Sequence, residues 1–347
     1  MYTRNVARSF RLAAVASLSA AGLVFAGCGE DESAGSGATA TTGGDEPVRI
    51  AYLAPKANTY ADATFKGVEE AAKEAGATAT YVDSTFEPAK EFAALQDIAT
   101  SGKYDAAIVI ALDSAGLVPA AEQAIEAGVK VVSTNFVLGT DLQTREVQVD
   151  GQAGAVFTPS YIRGQLFGEA IVDACEDADP CNVGWIQSIA GLPWDTALLD
   201  GAKDYLKDHP SVKLASVQGN GNYLAADGLK VAQNMLQANS DLDVLLTTSD
   251  QSTAGAQQAV EKAGLSGKVK LMGYGGSCIA TEAIEAGDWA ASVTATPFSE
   301  GRLSAELAIE AVRTDTAGTV IDAVEEIGAP KILTQETVGD FECEWDG

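Results

Sequence analysis

From Val48 onward, short apolar runs alternate with amphipathic stretches. "VRIAYLA" reads as a strand, and "ATFKGVEEAAKEAG" as a helix stopped at Gly76. "TATYVDS" is a strand, "PAKEFAALQDIATSG" a helix ended at Gly102, and "YDAAIVIAL" is apolar throughout, the pattern of a strand covered on both faces. "LVPAAEQAIEAG" and "VKVVSTN" give the next helix and strand. The second half repeats the rhythm. Helices are predicted at "SYIRGQLFGEAIVDA", "DTALLDGAKDYLKD", "AADGLKVAQNMLQANS", "TAGAQQAVEKAG", "IATEAIEAGD" and "FSEGRLSAELAIEAVR". Strands are predicted at "CNVGWIQS", "VKLASVQ", "DVLLTTS", "VKLMGYG" and "WAASVTATP". Strand–helix alternation with short connections predicts an α/β fold of two doubly wound parallel-sheet lobes.

The first residues break this rhythm. Arg4, Arg8 and Arg11 precede an uncharged stretch from Leu12 to Ala26, and no acid accompanies them. A basic start followed by about 15 apolar residues is the length of a secretory signal, and is short for a spanning helix, which needs about 20. A retained anchor helix is the alternative. "FAGC" ends the run and resembles the lipobox of bacterial lipoproteins, in which small residues precede a cysteine that is lipidated and becomes the mature N-terminus. The resemblance implies a signal peptide over 1–27 and a lipid on Cys28. One acyl chain holds a membrane weakly, and lipoproteins of this kind usually carry several. Gly29 to Glu46 is Gly, Ser, Thr, Ala and acid. It buries too little apolar surface to offset its ordering entropy, so 28–46 is expected to be a flexible tether.

Charge and cysteines narrow the picture. The net charge is −27, and removing a leader with three arginines and no acid takes it to about −30. Such a surface repels nucleic acid and anionic lipid. The acids are spread over predicted helix faces, so they read as solubility rather than a binding patch. Four cysteines follow Cys28: an even count in an exported chain points to disulfides. Cys175 and Cys181 bracket "EDADP", a short loop that is easily closed, and Cys278–Cys343 is the remaining pair. A metal site is the rival reading, but no histidine lies near. The single histidine, His209, sits in the helix-ending turn "KDHPS". No nucleophile–base–orienter set appears, so an enzyme is not expected. "GNGNYL" is at best a weak dinucleotide fingerprint, and no metal or cofactor is expected.

Four stretches carry a wider resemblance: "NTYADATFKGVEEAAKEAG", "AAIVIALDSAGLVPAAEQAIEAGVKVVSTN", "YLAADGLKVAQNMLQANSDLDVLLTTSDQSTAGAQQAVEKAG" and "LMGYGG". In this order, over essentially all of 48–335, the chain resembles the ribose-type sugar-binding family of periplasmic substrate-binding proteins, the capture components of ABC importers with the type I binding-protein fold. The resemblance implies two lobes joined by a three-segment hinge, with 47–135 plus 297–331 in the N-terminal lobe and 136–296 plus 332–347 in the C-terminal lobe. It implies a small ligand, a carbohydrate on family grounds, held between the lobes by hinge closure, an ABC permease partner, a monomer, and a place on the outer face of the cytoplasmic membrane.

In open α/β sheets ligands bind at the carboxyl ends of strands. Those ends offer Asn58, Tyr60, Asp113, Asn135, Trp194, Asp195, Tyr223, Ser249, Gln251 and Tyr274 as ligand-binding candidates. Flat apolar side chains suit a sugar's faces, and fixed donors and acceptors suit its hydroxyls. Second readings stand beside several of them. Asp113 is equally placed as a helix N-cap, Asp250 reads better as a cap than as a ligand contact, Asn135 suits a turn at a lobe crossing, and the three tyrosines suit a core. Three departures from the family pattern stand out. The second-lobe arginine falls near residues 194–196, where there is none; Gly275 occupies the place of the aspartate after the "GY" strand end; and the glutamine near the last crossing falls around Ala295 and Thr296. A less hydroxylated or more apolar ligand is the alternative they raise. A sensor subunit that presents ligand to a receptor or kinase is the alternative role. A transcription repressor, whose effector domain shares this fold, is opposed by the acidic charge, the lipobox and the lack of a helix-turn-helix.

Overall fold

The computed structural model describes residues 46–56 and 59–347. Cys28, the leader, most of the tether, and Asn58 therefore lie outside the described residues.

The first four apolar runs become β1 (Arg49–Ala54), β2 (Thr78–Asp83), β3 (Ala106–Val109) and β4 (Lys130–Thr134), separated by α1 (Thr59–Glu74), α2 (Pro88–Ser101) and α3 (Val118–Glu126). A short β5 (Gly154–Val156) follows. The second lobe runs α4 (Ser160–Ala174), β6 (Cys181–Ile186), α5 (Pro193–Leu206), β7 (Val212–Gln218), α6 (Ala225–Ala238), β8 (Val244–Thr247), α7 (Asp250–Lys262), β9 (Lys270–Gly275), α8 (Cys278–Ala286) and β10 (Ala291–Thr294). The chain returns through α9 (Pro297–Thr314), β11 (Thr319–Ile321) and α10 (Ala323–Glu326), then crosses again to β12 (Ile332–Leu333).

Two six-stranded sheets result, ordered β11-β5-β4-β3-β1-β2 and β12-β10-β9-β8-β6-β7. Every pairing is parallel except that of β12 with β10. β3, β8 and β10 are buried at every position, as strands covered by helices on both faces should be. The edge strands β2 and β7 are partly exposed. The expected lobe boundary at 135 moves: β5 pairs with β4 and β11 in the first sheet, so the first crossing falls at residues 157–159. The second lies at 295–296 and the third between β11 and β12.

Helices pair closely where glycines face each other. A Cβ on Gly67 of α1 would lie 2.0 Å from the Phe298 carbonyl oxygen, and one on Gly301 of α9 would lie 1.9 Å from that of Thr64. Gly301→Ala is expected to force these helices apart and cost about 1–3 kcal/mol, the usual penalty of overpacking, read as a lower melting temperature. The cysteines join as Cys175–Cys181 and Cys278–Cys343.

Candidate functional site

Both sheets point their carboxyl ends at one cavity of ≈ 60 Å³. Pro55 after β1, Phe86 after β2, Ile110 and Leu112 after β3, and Asn135 and Phe136 after β4 line it from the first lobe, with Tyr60 and Ala61 of α1. Trp194 of α5, Tyr223 after β7, Thr248 and Ser249 after β8, Gln251 of α7 and Tyr274 of β9 line it from the second, and Trp345 comes from the segment after β12. Rings meet across the lobes. Trp194 stacks on Phe136 with centroids 5.4 Å apart and stands edge-on to Tyr274 at 5.2 Å. Phe86 stacks over Tyr223 at 6.1 Å. The Gln251 side-chain amide donates to Thr59 Oγ1 at 3.1 Å, again between lobes.

Beneath the cavity lies a buried ion pair. Arg163 of α4 and Glu300 of α9 are each 1 % exposed, and Arg163 Nη2 donates to Glu300 Oε1 at 3.2 Å. Glu300 Oε2 accepts from the Tyr60 hydroxyl at 2.7 Å and from Asn135 Nδ2 at 3.2 Å. Asn135 also donates to the Tyr60 hydroxyl, and Arg163 Nη1 to that of Tyr274. Burial pushes the Glu300 carboxyl up, and the Arg163 charge opposes it. Asn135 sits at φ 61°, a left-handed conformation that asparagine tolerates better than most residues. Residues from α1, β4, α4, β9 and α9 thus share one network, and it ties the lobes beside the first two crossings.

Seven of the ten expected ligand residues line the cavity: Tyr60, Asn135, Trp194, Tyr223, Ser249, Gln251 and Tyr274. Two do not. Asp113 turns back on its own loop, where Oδ1 accepts from the Gly116 amide at 2.9 Å. Asp195 is fully buried behind the wall. It accepts from the Ser188 and Ile189 amides at 3.0 and 3.1 Å and from Thr248 Oγ1 at 2.7 Å, pinning the β6 and β8 ends together. Burial pushes its carboxyl up to about 6 against those bonds. The cap of α7 is Ser249, whose hydroxyl accepts from the Ser252 amide, and not Asp250. Asp250 instead accepts from the Ser277 amide and the Ser292 hydroxyl, each at 2.9 Å, and ties β9 and β10 together.

Sequence reasoning missed Phe86, Phe136, Thr248 and Trp345, and both members of the ion pair. Phe136 adjoins Asn135, so the same strand-end rule covers it. Trp345 follows Cys343 by two residues, and the expected bond to Cys278, just past the β9 end, already placed the tail there. Arg163 and Glu300 look in sequence like ordinary helix-surface charges, and nothing local marks them.

Glu91 is a further buried acid, beneath the loop that carries Leu112. Its Oε2 accepts from the Leu112 amide at 3.0 Å, and burial pushes its carboxyl from 4.5 up to about 8. The folded state then holds a proton that the unfolded chain releases, so this group makes stability fall as pH rises from 4.5 to about 8. Glu91→Gln mimics the protonated acid. It is expected to be at least ~1 kcal/mol more stable than the parent at pH 8 and equal to it near pH 4, measured by urea unfolding at both.

The family model for the periplasmic binding protein domain matches residues 50–316. The chain belongs to the periplasmic binding protein family. Membership makes it a ligand-binding protein rather than an enzyme. It is 26 % identical over 258 residues to the D-allose-binding periplasmic protein of Escherichia coli, covering 74 % of this chain and 80 % of that one. Over 176 residues it is 31 % identical to the D-ribose/D-allose-binding protein of Pseudomonas aeruginosa, about half (49 % and 51 %) of either chain. Among solved structures, an ABC transporter periplasmic solute-binding protein from Actinobacillus succinogenes with bound D-allose superposes with a TM-score of 0.73 at 22 % identity, over 85 % of this chain and 100 % of that one. A Caulobacter myo-inositol-binding protein with myo-inositol superposes at 0.72 and 22 % identity, over 86 % and 98 %. This binding protein has no helix, among the described residues, long and apolar enough to cross a membrane, and no His/Cys/Asp/Glu cluster suited to a metal.

Proposed function

We propose that this chain is the extracytoplasmic substrate-binding protein of an ABC importer, tethered to the membrane by lipid on Cys28, and that it captures a small sugar by closing two lobes on it. The observation that carries the reading is the aromatic cavity at the strand ends, walled by rings from both lobes. A ligand gripped there contacts both lobes and stabilises the closed arrangement, a hinge closure. Relatives named for ribose and allose favour a carbohydrate. The apolar lining favours a second reading, capture of a non-sugar small molecule.

A thermal-melt screen of the purified protein against pentoses, hexoses, sugar alcohols, nucleosides and small aromatic or amino compounds separates the two. Ligand at about 100 times its dissociation constant adds roughly 2.7 kcal/mol, a readily seen shift. A response confined to non-sugars moves the substrate class. Silence from every compound overturns capture. Cys28→Ser is expected to release the protein from the membrane fraction, and its retention there would count against the lipid.

A further inference from the structure

The segment after β12 enters the candidate site. After β12 and a short turn at Val338–Asp340, the tail lies along the start of α8. Cys343 is bonded to Cys278, the Trp345 carbonyl accepts from the Cys278 amide at 2.8 Å, and that of Asp346 from the Ile279 amide at 3.3 Å. These three ties seat the Trp345 ring, 6 % exposed, in the cavity wall. Its Nε1 donates to the Gly275 carbonyl at 3.0 Å, and its ring stands edge-on to Tyr60 at 5.4 Å. Gly275 makes the room. A Cβ there would lie 2.6 Å from the indole, on a backbone at φ 138° that side chains rarely adopt. The tail also reaches the first lobe. Glu344 accepts from the Ser299 amide at 3.0 Å, in the first turn of α9, and the Gly347 carbonyl accepts from Thr59 Oγ1 at 3.1 Å.

We propose that this disulfide-clamped tail is a fourth link between the lobes, and that Trp345 sets selectivity for a neutral ring compound poorer in hydroxyls than a pentose. The proposal rests on the capture reading and takes the second of its two ligand classes, a small molecule poorer in hydroxyls than a sugar. The polar groups at the wall are mostly committed already. Asn135 donates to Tyr60 and Glu300, the Tyr274 hydroxyl accepts from Arg163, Ser249 caps α7, and Thr248 binds Asp195. Three wall atoms, Trp194 Nε1, Gln251 Oε1 and the Tyr223 hydroxyl, are buried without a partner among the described residues. One donor, one acceptor and one hydroxyl that can act as either serve a ring with two or three polar groups. A pentose carries a hydroxyl on nearly every carbon, and each one buried without a partner weakens binding. A charged ligand gains nothing either, because Arg163 and Glu300 already neutralise each other.

The test uses the full chain, with phenol and cyclohexanol as hydroxyl-poor probes and D-ribose and D-allose as hydroxyl-rich ones. At least one hydroxyl-poor probe is expected to raise the melting temperature, and the two sugars are not. Trp345→Ala is expected to weaken the responding probe at least about tenfold, as loss of a buried aromatic anchor does, while Trp345→Phe retains most of the affinity. The paired change Cys278→Ser with Cys343→Ser is expected to weaken it too. Without any probe, small-angle scattering is expected to give a larger radius of gyration for Trp345→Ala and for the cysteine pair than for the parent. Unchanged affinity in Trp345→Ala overturns the role in selectivity, and an unchanged radius overturns the link. Sugar binding alone, or silence from both hydroxyl-poor probes, overturns the ligand class. Capture itself falls only if the wider screen is silent as well.

Discussion

Glu300→Ala unfolds at a urea concentration well below that of the parent. The substitution strips a guanidinium that is 1 % exposed of its carboxylate partner, and deprives Tyr60 and Asn135 of an acceptor. Breaking a buried pair from one side costs about 3–5 kcal/mol, because the surviving charge stays desolvated. Domains of this size have about 5–15 kcal/mol to lose, so the variant stands near the edge of folding. The pair itself is a different quantity. Removing both charges together, as Arg163→Met with Glu300→Leu, is expected to recover most of the loss, since well-packed apolar groups often replace a buried pair without penalty. A Glu300→Ala variant within about 1 kcal/mol of the parent would mean that Arg163 finds another partner or reaches water, and that the network does not hold the hinge.

Trp194→Ala is expected to lower both stability and affinity. The side chain is 2 % exposed, and it touches Phe136 in the opposite lobe as well as Tyr274 and Tyr223 in its own. Truncating a buried tryptophan costs about 3–5 kcal/mol, part of it for the hole that remains. The stacked pair loses a further contribution of about 0.5–1.5 kcal/mol beyond area alone. The hole opens into the candidate cavity, so whichever compound the screen identifies is expected to lose its main flat contact and to bind at least about tenfold more weakly. Trp194→Phe keeps a ring in place and separates the two effects: stability largely returns, while any bond to the indole N–H does not. Calorimetric unfolding without ligand and titration with it measure the two quantities independently. Normal affinity in Trp194→Ala would move the site away from this wall.

How much of this was legible follows from what each residue answers to. Central strands announce themselves, because a strand covered on both faces must be apolar throughout, and "AAIVIAL" is. β5, β11 and β12 are only two or three residues long and sit at or near sheet edges, too short for a period to show. Missing β5 is what displaced the first crossing from residues 157–159 to 135. Cavity-lining residues next to strand ends were legible because topology alone directs them to the cleft. Asp113 and Asp195 obeyed the same rule and failed it, since nearby backbone amides claimed their carboxylates first. Arg163 and Glu300 sit on helices of different lobes, α4 and α9, far apart in sequence, and no local pattern encodes that meeting.

The path of the chain through the two sheets has a consequence for the order in which the molecule is made. Nearly all of the second lobe is one continuous stretch between β5 and α9, while the first lobe waits for α9 and for β11 to pair with β5. A chain emerging from its N-terminus through an export channel can finish the second lobe's core before the first is whole. The early half-sheet must stay unpaired at β5 meanwhile, and closing it joins segments far apart in sequence, a slow kind of contact. The lobe that emerges first is therefore the last to be completed, and its exposed β5 edge is where a secretion chaperone would have most to shield.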